Sequence, residues 1–131
     1  MTRVRIDSAA SDTFPIVRFS GDSGEGEALW RSDSAPILGT DVDVEFELPD
    51  EFLWERNVGL ADEDTPTGFR LTSGGPELVG YIVDFDADGS LAVRVSDALV
   101  VVTTVGDPPL ALIGHKVILR PRSIELYQIE F

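Results

Sequence analysis

The chain has no cysteine, one histidine, one methionine and one lysine in 131 residues. Without cysteine there are no disulfides, thiolate zinc sites or cysteine nucleophiles. A lone histidine, His115, makes neither a catalytic triad nor a transition-metal site, and Gly114-His115-Lys116 reads as a turn before a strand. Long apolar runs are also missing, so no membrane-crossing helix is expected. The opening MTRVRIDSAA lacks the apolar core of a secretory leader, and the expectation is a cytoplasmic protein.

Basic residues are scarce. Ten Lys and Arg stand against 24 Asp and Glu, a net charge of −14. Residues 1–75 hold 16 of the acids and six arginines, and residues 76–131 hold eight acids and four bases. Such a field repels nucleic acid and anionic membranes, whose binding rests on phosphate neutralisation by Lys and Arg. It attracts a basic protein. It also serves solubility or high-salt conditions with no partner at all.

What is present is alternation. Leu78–Val105 reads as apolar run, turn, alternating run, turn, apolar run, the pattern of a three-stranded meander. Val79, Tyr81, Val83 and Phe85 are expected on one sheet face. Asp86-Ala87-Asp88-Gly89 supplies the first reversal. Leu91, Val93 and Val95 alternate with polar or small residues. Leu99-Val100-Val101-Val102 is apolar at every position, which predicts a strand covered on both faces.

Around the meander, Val4 with Ile6 and Phe14–Phe19 read as strands, separated by a polar break at Ser8–Thr13. Ser20–Glu27 reads as a loop, and its three carboxylates and missing lysine argue against a phosphate cradle. Leu110–Ile113 reads as one helical turn. Lys116–Arg120 and Ser123–Phe131 read as a closing hairpin about Pro121-Arg122. No repeat or linker appears, so a single domain over residues 1–131 is expected. Roughly eight or nine short antiparallel strands, with at most one or two helical turns, predict an all-β small barrel or sandwich of the OB or SH3 type. The expected core includes Val42, Val44, Phe46, Val79, Tyr81, Val83, Leu91, Val93, Val95, Val100 and Val102.

The clearest amphipathic stretch is Thr40–Leu48. Val42, Val44, Phe46 and Leu48 alternate with Asp41, Asp43, Glu45 and Glu47, so period two sets four carboxylates in one row of about 20 Å. Unless arginines on neighbouring strands pair with them, they repel one another. Such a row suits a solvated edge strand that resists aggregation, or a docking strip for a basic surface. Asp50 has the chemistry to cap a helical turn carrying Phe52, Leu53 and Trp54. Three consecutive apolar side chains cannot share one side, and Trp54 is the one expected to be partly exposed. Asp62-Glu63-Asp64 follows in an acidic loop.

Asp84-Phe85-Asp86-Ala87-Asp88-Gly89 has the opening spacing of a calcium loop. Val95 stands where a chelating Glu is needed, and both flanks read as strands. No metal site is expected, and no cofactor. Lys116, Arg120 and Arg122 form the densest basic group, too small for a nucleic-acid groove.

These features favour a non-enzymatic interaction module, in its sharpest form an acidic inhibitor or immunity-type protein docking on a basic partner. The expected partner-binding residues are Asp41, Asp43, Glu45, Glu47, Phe52, Trp54, Asp62, Glu63 and Asp64, with charge steering around an aromatic anchor. The first alternative is a small-ligand carrier or sensor whose barrel mouth uses Trp30, Trp54, Tyr81 or Tyr127. An enzyme built on paired carboxylates is a third class.

Overall fold

The computed structural model describes residues 2–9 and 16–129. The expected strand start at Phe14-Pro15, most of the break at Ser8–Thr13 and the end at Glu130-Phe131 lie outside these residues. The chain is all-β, with twelve strands: β1 Thr2–Ala9, β2 Ile16–Gly21, β3 Gly24–Trp30, β4 Asp41–Glu47, β5 Glu51–Leu53, β6 Val58–Leu60, β7 Gly68–Thr72, β8 Gly75–Phe85, β9 Ser90–Val95, β10 Ala98–Val105, β11 Lys116–Leu119 and β12 Glu125–Gln128.

Five of them close a small barrel. The order β12-β4-β1-β2-β3 runs through backbone pairing, and β3 pairs with β12 in parallel to complete the ring. Closure removes the exposed edges that an open sheet presents. Alternation decides what fills it: Val4 and Ile6 of β1, Val17 and Phe19 of β2, Val44 and Phe46 of β4, and Leu126 of β12 are all buried. Phe19, Phe46 and Phe69 meet inside, with ring centroids 4.3–5.8 Å apart. This is the spacing at which aromatic pairs attract beyond their buried area.

The sheet continues from β3 to β7, β8, β9, β10 and β5, with β11 joining β8 to β6. The handover is narrow. One register pair, Gly24 with Phe69, links β3 to β7, beside a 2.7 Å hydrogen bond from the Phe69 N–H to the Ser23 carbonyl. Gly24 sits at φ 114°, and a Cβ there would lie 2.3 Å from the Phe69 carbonyl oxygen. Only glycine permits this approach.

The predicted meander is present as β8-β9-β10, but its faces differ from expectation. A register shift between Ile82 and Asp84 breaks the alternation of β8. Leu78 and Ile82 are the inward residues that join the core cluster. Val79 is buried, whereas Tyr81 and Val83 are exposed and contribute nothing to the core. In β10, Val100 and Val102 point inward while Leu99 is 56% exposed and Val101 61% exposed. The strand is therefore covered on one face only.

Other expectations give way to non-local pairing. Ser20–Glu27 is a tight β2–β3 hairpin rather than a loop, turning at Asp22-Ser23, with Gly26 set opposite Phe19 in the ladder. Glu51–Leu53 is a strand, drawn out by parallel pairing with β10 instead of folding into a helical turn. Leu110–Ile113 forms no helix; Ala111 has φ 60°. The closing hairpin is absent: β11 pairs with β6 and β8, and β12 pairs with β3 and β4. Pro121-Arg122 carries the chain from one part of the sheet to the other, with the Arg122 N–H donating to an Asp50 carboxylate oxygen. Strand pairing is mixed rather than wholly antiparallel.

Candidate functional site

β4 holds the acidic row. Val44, Phe46 and Leu48 are buried, Asp41, Glu45 and Glu47 are exposed, and Asp43 is half-buried among its neighbours. The strand is no edge: it lies between β1 and β12, so the row crosses the outside of the closed barrel.

Register decides how the four charges are compensated. Arg5 stands opposite Asp41 and Arg3 opposite Asp43. Arg3 Nε donates to Asp43 Oδ1 at 3.2 Å, and this hydrogen bond and the carboxylate charge raise the pKa of the guanidinium. On the other side Tyr127 stands opposite Glu45 and Glu125 opposite Glu47. That pairing sets two carboxylates face to face. Arg31 approaches Glu125 only to 4.0 Å, and the Tyr127 hydroxyl donates to Glu125 at 3.3 Å. Among the described residues Glu45 and Glu47 have no ion-pair partner. Asp41 only faces Arg5, whose guanidinium lies 3.7 Å from Asp7. Among the described residues Asp43 is therefore the one member of the row with an ion-pair partner, and Glu45-Glu47 is its bare end.

The two aromatic residues expected beside it are elsewhere. Phe52 is 0% exposed and Trp54 8% exposed. They are two positions apart in an extended segment, so both point inward and only Leu53 between them is half-buried. Neither is an anchor on the surface. The Trp54 indole N–H is buried without a partner among the described residues.

Asp62, Glu63 and Asp64 are exposed, and their loop is tied down from below. Lys116 on β11 is buried, and its ammonium donates to the carbonyl of Glu63 and, at 2.8 Å, to that of Thr65. It also lies 5.5 Å from the centroid of the Tyr81 ring, within cation–π range. Lys116 is thus structural and does not belong to a surface basic group. The loop belongs to the β8–β11 side of the sheet and the row to the barrel, and β4 shares no strand neighbour with β11.

Among the described residues, seven of the nine arginines lie within 4.0 Å of a carboxylate, including Arg70 and Arg120 on Glu77 and Arg122 on Asp50. The few bases are spent on internal pairing, which leaves an outer charge dominated by acids.

The calcium-like segment is the tip of the β8–β9 hairpin. Asp84 accepts from the Phe85 N–H and Asp88 from the Ser90 N–H, at 2.9 and 3.0 Å. The Ser90 backbone bond, then its side chain, lowers the Asp88 pKa from the ordinary value. Among the described residues no three acid, histidine or cysteine side chains converge in a metal-binding group.

Trp30 is buried and donates its indole N–H to the Ser34 carbonyl at 2.7 Å, so Trp30 and Trp54 do not line an open mouth. Sequence reasoning missed the exposed outer face of β10. Its signal was the run Leu99-Val100-Val101-Val102, which marks two apolar faces without saying whether both are covered. Comparison with protein families, characterised proteins and solved structures found no match.

Proposed function

We propose that this chain is a non-enzymatic acidic interaction module that docks on a basic protein, as an inhibitor or immunity-type protein does. One observation carries the reading: the in-register carboxylate row of β4, bare at Glu45 and Glu47 and extended by Glu125 across the strand pair. Closure of the barrel holds this row on a paired strand, so the backbone that carries the charges needs no ordering on binding. Exposed acids steer a basic partner into encounter and act mainly through the association rate. The filled barrel interior, with Phe19, Phe46 and Phe69 in contact, supports docking at the outer surface over carriage of a small ligand.

The test begins with capture on the purified chain from native lysate, followed by kinetics with the captured basic protein. Glu45→Gln with Glu47→Gln should slow association several-fold at low salt, leave dissociation nearly unchanged, and lose its effect as salt rises. A double variant that associates as the parent does at every salt concentration overturns the reading and assigns the acidity to solubility.

A further inference from the structure

We infer that the outer face of β8-β9-β10 is the apolar part of a docking surface, and that its occupant is a protein segment with apolar side chains inside a basic rim. The inference rests on the reading above and supplies the hydrophobic contact that the buried Phe52 and Trp54 do not provide. Register lays the face out in rows. Tyr81, Arg94 and Leu99 form one row, and Asp84, Ala92 and Val101 the next. Thr103 stands beside Glu51, and Val105 beside Leu53 of β5. Tyr81, Val83, Leu99, Val101 and Val105 are all exposed large apolar side chains. Contiguous patches of this kind, rimmed by charge, mark interaction sites on proteins.

The charge of the rim selects the occupant. Asp84 lies in the face, Glu51 flanks it on β5, and exposed Asp86 and Asp88 stand at the hairpin tip. At the Tyr81 corner, Lys116 ties down the loop that carries Asp62, Glu63 and Asp64. The acidic loop is thereby continuous with the apolar face. Arg94 is the one base within the rows. A second copy of this chain would oppose this acidic rim with its own and add a second charge of −14, whereas a basic partner gains attraction along the rim and burial at the centre.

The test titrates the isotopically labelled full chain with two synthetic peptides of equal charge, one alternating lysine with leucine and valine, the other alternating lysine with serine. The apolar peptide should bind at least roughly tenfold tighter, about what burial of one aliphatic side chain supplies. It should shift the amides of residues 81–83, 92–94 and 99–105. Leu99→Ser with Val101→Ser should abolish the advantage, leave the lysine–serine affinity unchanged and preserve the melting transition, since both side chains already face solvent. Equal affinities for the two peptides overturn the inference, as do shifts confined to β4 and its neighbours. A parent that sediments as a dimer, made monomeric by the double variant, also overturns it and makes a second copy the occupant. If the lysine–serine peptide binds and Glu45→Gln with Glu47→Gln weakens it while the apolar peptide gains nothing, this inference alone falls. If neither peptide binds, the acidic-docking reading falls with it.

Discussion

Lys116 lies against Tyr81, its ammonium 5.5 Å from the ring centroid, and from that position donates to the carbonyls of Glu63 and Thr65. The only lysine of the chain is therefore the tether of an acidic loop. Lys116→Met keeps the aliphatic stem and removes both donors. It should lower stability by about 2 kcal/mol, the scale of hydrogen bonds made by a charged group, and speed amide exchange in residues 61–66 well beyond that of the barrel. Unchanged exchange there would mean that the loop holds its own shape.

The join between the barrel and the rest of the sheet is equally local. Gly24→Ala adds a methyl group 2.3 Å from the Phe69 carbonyl oxygen, at a φ of 114°. Left-handed strain and steric overlap together should cost about 3 kcal/mol or more. Denaturant unfolding gives the total, and hydrogen exchange should show the loss greatest at Ser23, Gly24, Gly68 and Phe69. A loss under about 1 kcal/mol would show that β3 and β7 separate without consequence.

The fold class and the acidic row were legible because both depend on period-two alternation. Val42 to Leu48 turn inward and Asp41 to Glu47 outward whichever strands lie alongside. Pairing partners were not legible. Thr103–Val105 draws Glu51–Leu53 into a parallel strand, and that pairing is what turns Phe52 and Trp54 into the core. Nothing local in Asp50-Glu51-Phe52-Leu53-Trp54 encodes the presence of β10, and a helical turn satisfies the same residues equally well. The hairpin expected at Pro121-Arg122 fails for the same reason: adjacent strands in sequence joined different neighbours in space. The compensation of Asp43 by Arg3 and the face-to-face Glu47 and Glu125 also follow from register, which a single strand does not carry.

Trp54 should behave as a core residue. Trp54→Ala should cost about 3–5 kcal/mol through lost burial and the cavity left behind. Its indole N–H is buried without a partner among the described residues, and an unmade buried hydrogen bond costs about 1–3 kcal/mol. Trp54→Phe removes that donor, which offsets the smaller volume, so its net cost should stay within about 1 kcal/mol. Thermal or denaturant unfolding of the two variants checks the contrast. A Phe variant as unstable as the Ala variant would show that the indole shape, not its burial, is required.

The acidic row should respond with opposite signs at Asp43 and at Glu47. Asp43→Asn removes the partner of Arg3 and should destabilise by a few tenths of a kcal/mol, the usual size for an exposed pair. Glu47→Gln relieves repulsion across the strands from Glu125 and should stabilise by a similar amount. Both effects should shrink as salt is raised from about 0.05 to 0.5 M, since the screening length falls several-fold over that range. Equal signs for the two changes would mean that the row acts through total charge and not through register.

Asp88 gives the pH dependence a defined sign. Its carboxylate accepts from the Ser90 N–H at 3.0 Å, and that bond favours the charged form, so the folded pKa lies below the ordinary aspartate value. When folding lowers the pKa of an acid, the folded state binds fewer protons than the unfolded chain. The contribution of Asp88 is therefore fully present above the unfolded value, and falls away as pH drops through the folded one. Carboxyl carbon shifts followed by NMR should give Asp88 a titration midpoint below that of an aspartate in a short unstructured peptide. The Ser90 amide should move with the same midpoint. Asp88→Asn should flatten the part of the stability profile that Asp88 supplies on the acid side. It should leave the curve above pH 6 shifted by a constant, because the amide oxygen still accepts from Ser90 but no longer titrates. A midpoint at or above the peptide value would show that the Asp88–Ser90 bond does not hold the hairpin tip in solution.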